Sequence, residues 1–200
     1  MKDGQRARVL ELARRTGFVR IRDVMHMGVH PEYLRRLYLH GELERVGRGM
    51  YSLPGFEIEL HHSLAEAAKR VPGGVVCLLS ALTFHNLTTQ LPSKVWVAID
   101  RKARKPRADG VGLRITRFSG AAFHEGIEEH TIEGIPVRVF SVAKTVADCF
   151  KYRNKVGLDV ALEALREGWR ERRFAMDELG RFAQVCRVAN VMRPYLESLP

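Results

Sequence analysis

The residues of this chain best suited to recognition chemistry lie in GVHPEYLRRLYLHGELERVGRGMYSLP, Gly28 to Pro54. Arg35 and Arg36 follow Pro31 and Glu32 on one helical pattern, and Arg48 stands between two glycines further on. A guanidinium is a planar fork of donors that matches guanine O6 and N7 or a phosphate. Such a set binds an anionic, hydrogen-bonding polymer rather than making or breaking bonds. Arg35 is the preferred base reader. Arg36 can read a base or clamp a phosphate, and Glu32 can orient an arginine or accept from cytosine N4. Arg20 and Arg22, just upstream, are candidate phosphate contacts. A second basic cluster, RKARKPR, places Arg101, Lys102, Arg104, Lys105 and Arg107 within seven positions. It can neutralise phosphates, meet an acidic protein surface or remain solvated.

Other constellations point away from catalysis. His61, His62, His85, His124 and His130 show no HxxxH or HExxH spacing, and no CxxC pair is present, so neither a metal nor a cofactor is expected. Ser80, Ser141 and Thr145 read as helix-start hydroxyls. Lys144 and Asp148 form an i,i+4 pair of the supporting kind. Asp100 and Asp148 are the carboxylates a metal-dependent nuclease or nucleotidyltransferase would need, but they stand alone in the sequence.

The elements that position the arginines can be read around them. Apolar residues at Val9, Leu10, Leu12 and Ala13 predict a helix over Gln5–Arg15, closed by Gly17. Phe18–Ile21 is an extended link, and Val24, Met25 and Met27 suggest a brief second helix before a turn at Gly28. Pro31 suits the first position of the next helix. Leu34, Leu37 and Tyr38 supply its buried stripe, Val29 packs at its entry, and Gly41 stops it. Leu43, Val46, Met50 and Tyr51 predict two short strands around Gly47–Gly49, a wing with Arg48 at its tip. The reading is a winged helix-turn-helix over residues 1–55 that grips double-stranded DNA.

Residues 56–200 read as a mixed α/β domain with a helical C-terminus. A helix covers Glu57–Arg70, a strand Val75–Leu79, and Ser80 caps a helix through His85. Lys94–Asp100 and Gly112–Phe118 are strands, and Glu128–Ile132 with Val137–Phe140 form a hairpin around EGIP. Ser141 then caps a helix, and Leu158–Glu167, Met176–Val185 and Asn190–Leu199 complete the set.

Bulk properties agree with an acidic partner. The 200 residues carry a formal net charge of +10, with a pI near 9.9. Three scattered cysteines fit a reducing, cytoplasmic setting rather than a disulfide scaffold. The N-terminus lacks the apolar core of a signal peptide, and no apolar run is long enough to span a membrane.

Gly28–Pro54, followed by LLSALTFHNLTTQLPSKVWVAI, IEGIPVRVFSVAKTVADCFKYRNKVGLDVALEAL and RVANVMRPYLE, resembles the AbiEi-like antitoxins and transcriptional regulators of type IV toxin–antitoxin systems. The resemblance implies a repressor that autoregulates its operon at a promoter inverted repeat. It also implies a second domain that neutralises a nucleotidyltransferase-like toxin without enzymatic chemistry. The recognition helix would be Pro31–His40 and the wing Glu44–Leu53; His30 stands where the family usually has a small hydroxyl residue. A stand-alone regulator without a toxin is the alternative, and a DNA-directed nuclease or nucleotidyltransferase the less favoured one. Without a heptad helix or an apolar dimer strip, cooperative assembly of monomers on DNA is the expected mode.

Overall fold

The computed structural model describes residues 3–16, 18–47, 49–106 and 112–199. Gly17, Arg48 and Arg107, all singled out above, lie outside them. The chain divides into two compact units, residues 1–61 with 89–91 and residues 62–88 with 92–200.

The first unit runs α1 (Asp3–Thr16), β1 (Phe18–Arg20), α2 (Ile21–His26), α3 (Glu32–Leu39), β2 (Glu44–Gly47) and β3 (Met50–Ser52). Its strands form an antiparallel sheet in the order β1-β3-β2, with a register shift between Arg45 and Gly47. Val9 and Ala13 of α1, Val19, Val24, Val29, Leu34, Leu37 and Leu43 make one buried cluster. The helix, short helix, helix and hairpin order read from the sequence is therefore the order found. The second helix starts earlier than its apolar residues suggested. The Asp23 carboxylate accepts the Arg20 backbone N–H at 2.9 Å, closing a capping interaction at the strand end.

Helices α2 and α3 end in the same way. The Val29 N–H donates to Val24 O across Gly28, and the Glu42 N–H to Leu37 O across Gly41. Both glycines have φ near +70°, the left-handed conformation this closure requires. The first stop sets the start of the α2–α3 turn and the second the exit from α3 toward the hairpin.

The second unit holds most of α4 (Phe56–Arg70), then β4 (Val75–Val76), α5 (Leu78–Phe84), β5 (Val95–Asp100), β6 (Leu113–Phe118), α6 (Ala121–His124), β7 (Ile127–Ile132) and β8 (Ile135–Phe140). Next come α7 (Val142–Lys151), α8 (Arg153–Val156), α9 (Leu158–Arg170), α10 (Met176–Val185) and α11 (Ala189–Glu197). The mixed five-stranded sheet has the order β6-β5-β4-β8-β7. β5–β6 and β4–β8 pair parallel, while β4–β5 and β7–β8 pair antiparallel.

One sheet face, with Val75, Trp96, Ala98, Phe118 and Phe140, packs on α5, α7, α9 and α10. On the other, Val76 and Val97 lie beside Ala67 and Val71 at the end of α4. Helix α7 is buried throughout Val142–Phe150, which suits a position amid α5, α9 and α10. The expected strand at Val75–Leu79 is only two residues long, and the next helix begins at Leu78 with Cys77 at its N-cap. Ser80 lies inside that helix, where its Oγ accepts the Trp96 N–H at 2.9 Å, so it ties helix to sheet rather than capping. Ser141 does cap α7.

Candidate nucleic-acid interface

Helix α3 turns two faces in opposite directions. Leu34 and Leu37 are fully buried, while Arg35, Arg36 and Leu39 are exposed and Glu32 is half-buried. Spacings of three, four and seven residues place Glu32, Arg35, Arg36 and Leu39 on one stripe of the helix. The Arg35 guanidinium lies 3.2 Å from the Glu32 carboxylate, so the glutamate holds the arginine back along the helix. The Arg36 guanidinium carbon sits 5.8 Å from the Tyr33 ring centre.

Tyr38, read from its spacing as part of the buried stripe, is 45% exposed. Leu34 and Leu37 are the fully buried residues of α3, and the Tyr38 ring packs 6.2 Å from that of Tyr51 in β3. Helix α3 and strand β3 thereby share an aromatic contact that helical periodicity did not reveal.

The entry to α3 is built around Pro31, which occupies the N-cap position at φ −52°. His30 supplies the acceptor that a hydroxyl residue would otherwise offer: its Nδ1 takes the Glu32 N–H at 3.2 Å. Further back, Arg6 of α1 pairs with Glu42 at 2.5 Å, just beyond the end of α3. The hydrogen bond from Arg6 holds the Glu42 carboxyl below its ordinary range.

The β2–β3 hairpin is joined to α2 through its backbone. The Ile21 N–H, at the first residue of α2, donates to Gly49 O at 3.1 Å. On β2, Arg45 is exposed beside this hairpin. It was not singled out in the sequence, where it is one basic residue among many; only its place on β2 distinguishes it.

The upstream arginines differ from one another. Arg20 is only 4% exposed, because it ends β1 and begins α2 within the fold; this burial sets it apart from the surface phosphate contacts envisaged for it. Arg22 is half-exposed, with its guanidinium 3.7 Å from the Asp23 carboxylate.

In the second unit the basic loop has a defined backbone. Arg117 of β6 donates from one terminal nitrogen to the carbonyls of Asp100, Arg101 and Ala103, at 3.3, 2.6 and 2.9 Å. The Asp100 carboxylate accepts the Lys102 N–H at 2.8 Å. Carbonyls gathered inward leave Arg101, Lys102, Arg104 and Lys105 exposed. The arginines at and just beyond the end of α9 are paired: Arg170 and Arg173 with Glu171, and Arg170 also with Glu167.

The carboxylates that a metal-dependent enzyme would use are engaged elsewhere. Asp148 has no solvent exposure and bonds to Lys144 and Cys186, while Asp100 organises its own loop. Among the described residues no group of three His, Cys, Asp or Glu side chains could hold a metal ion. Nor, among them, is any helix long and apolar enough to cross a membrane. All three cysteines are buried and free.

Comparison with known proteins bears mainly on the first unit. No curated protein matches the sequence. The crystal structure of the RV2827C protein from Mycobacterium tuberculosis is similar with a TM-score of 0.42 and 14% identity, covering 98% of this chain and 82% of that one. Residues 7–54, from within α1 to just past β3, match the family described as transcriptional regulator, AbiEi antitoxin.

Proposed function

We propose that this protein is a sequence-specific DNA-binding repressor that autoregulates its operon. In this reading residues 1–55 form a winged helix-turn-helix, with α3 in the major groove and the wing on the adjacent backbone or minor groove. The observation that carries it is the outward stripe of α3, where Arg35 and Arg36 stand exposed above a helix fixed at both ends. The net charge of +10 and the family match over residues 7–54 support it. A helix presented in this way can enter the major groove, where guanidinium groups discriminate guanine.

The second unit acts without catalysis in this proposal. It neutralises a nucleotidyltransferase-like toxin, and its basic loop at Arg101–Lys105 adds phosphate contacts or meets the toxin. The type IV antitoxin role rests on the family resemblance, and an inverted repeat is its natural operator. Protein monomers assemble cooperatively on that repeat.

The test is a titration of the full chain, at physiological salt, against a duplex from upstream of its own gene and a random duplex of equal length. Tighter binding to the upstream duplex is expected. Arg35→Ala should lose about 1–3 kcal/mol on it and mainly reduce discrimination. Equal binding to both duplexes by the unaltered protein overturns the reading.

A further inference from the structure

The DNA-facing stripe of α3 ends in a side chain that charge does not explain. Leu39 is 66% exposed, more than Met25, Tyr38 or any other large apolar residue whose side chain the structure describes. It is the last residue of α3, and the closure across Gly41 holds the backbone there. At about 100° per residue, Leu39 falls within about 20° of Glu32 and within about 60° of Arg35 and Arg36 around the helix. An apolar side chain thus shares the face that carries the two arginines.

Resting on the DNA-binding reading above, we propose that Leu39 is a specificity-determining residue that recognises the 5-methyl group of a pyrimidine. The major groove is lined by hydrogen-bonding edges, and its apolar landmark is that methyl, on thymine or on 5-methylcytosine. Leucine offers no donor or acceptor, so it discriminates by burying the methyl against its own branched end. The arginines supply the complementary charge that brings the duplex to this face.

The helix also fixes a spacing. Leu39 follows Arg35 by four positions, an axial step of about 6 Å. Successive base pairs rise about 3.4 Å. The methylated pyrimidine therefore lies one to two base pairs from the guanine read by Arg35.

The experiment begins with selection from a random duplex pool by the full chain and by its Leu39→Ala and Arg35→Ala variants. The unaltered protein should enrich a site with thymine one or two base pairs from guanine. Leu39→Ala should lose the thymine preference alone, and Arg35→Ala the guanine preference. The selected duplex is then titrated with that thymine replaced by uracil. Loss of the methyl should weaken the unaltered protein about fourfold, the factor for one buried methyl-sized group. It should leave Leu39→Ala unchanged.

A third duplex carries 5-methylcytosine paired with guanine at the same position. Retained affinity assigns recognition to the methyl on either pyrimidine, and loss narrows it to thymine. Leu39→Ala retaining the thymine preference, or losing the same factor on the uracil duplex, overturns the inference. Failure of the unaltered protein to enrich any sequence overturns the DNA reading as well.

Discussion

The ammonium of Lys144 and the carboxylate of Asp148 lie 2.5 Å apart on successive turns of α7, and neither side chain has solvent exposure. The ammonium also sits 4.1 Å from the centre of the Phe140 ring, and Cys186 donates its thiol to the other carboxylate oxygen at 3.1 Å. Burial raises the Asp148 carboxyl above its ordinary range, while Lys144 draws it down. Truncating one partner leaves a charge stranded in the core, so Asp148→Ala is expected to lose about 3–5 kcal/mol in urea unfolding. Lys144→Met with Asp148→Leu should recover most of that loss. Equal destabilisation by the single and double variants would show that packing, not the stranded charge, dominates.

His85 gives the second unit a dependence on pH. Its Nε2 donates to Phe140 O at 2.8 Å, and burial lowers its pKa from the usual 6.5, against the pull of that hydrogen bond. The unfolded chain therefore takes up this proton at a higher pH than the folded one. The stabilisation is complete above about pH 6.5 and declines as pH falls through that value toward the lower folded pKa. Denaturation midpoints of the protein and of His85→Gln, compared from pH 7.5 downward, should differ less as the solution becomes acidic. A constant difference would remove His85 as the source.

Gly126 lies against α7 and α10. A Cβ there would meet the Lys144 Cβ and the Phe182 ring edge at 2.8 Å, on a backbone with φ +70°. Gly126→Ala should destabilise by about 1–3 kcal/mol through overpacking. Gly134→Ala, at a similar φ but with nothing within 4 Å, isolates the backbone contribution and should lose less. Thermal unfolding of the two variants makes the comparison; equal losses would exclude a crowding effect.

The basic loop can be tested through salt. Replacing Arg101, Lys102, Arg104 and Lys105 together with glutamine should flatten log K against log salt by about 0.9 for each phosphate no longer neutralised. Arg117→Met keeps those four charges but releases three carbonyls, so it should reproduce part of the change. An unchanged slope in the fourfold variant would exclude the loop from the DNA interface.

The first unit was legible because local rules largely specify it. Gly28, Pro31 and Gly41 punctuate its helices, and Leu34 and Leu37 mark the buried side of α3 at helical spacing. Tyr38 misled because its neighbour across the fold, Tyr51, decides its place rather than its own helix. Ser80 misled in the same way, since its partner Trp96 comes from β5. The i,i+4 spacing of Lys144 and Asp148 was plain, but it is the same on a surface helix as on a buried one. The Arg117 contacts join β6 to a loop fourteen or more residues earlier, a relation that pattern along the chain does not encode.

The hydrogen bond from Ile21 to Gly49 bears on the thermodynamics of association. A loop that becomes ordered only on its target surrenders conformational entropy at that moment, about 1–2 kcal/mol for each residue's backbone. Here the β3 side of the hairpin is already tied to the first turn of α2. That part of the ordering is completed when the chain folds, so it does not recur with each encounter. If the proposed DNA binding holds, calorimetry should report a smaller entropic penalty than for a hairpin that orders on its target.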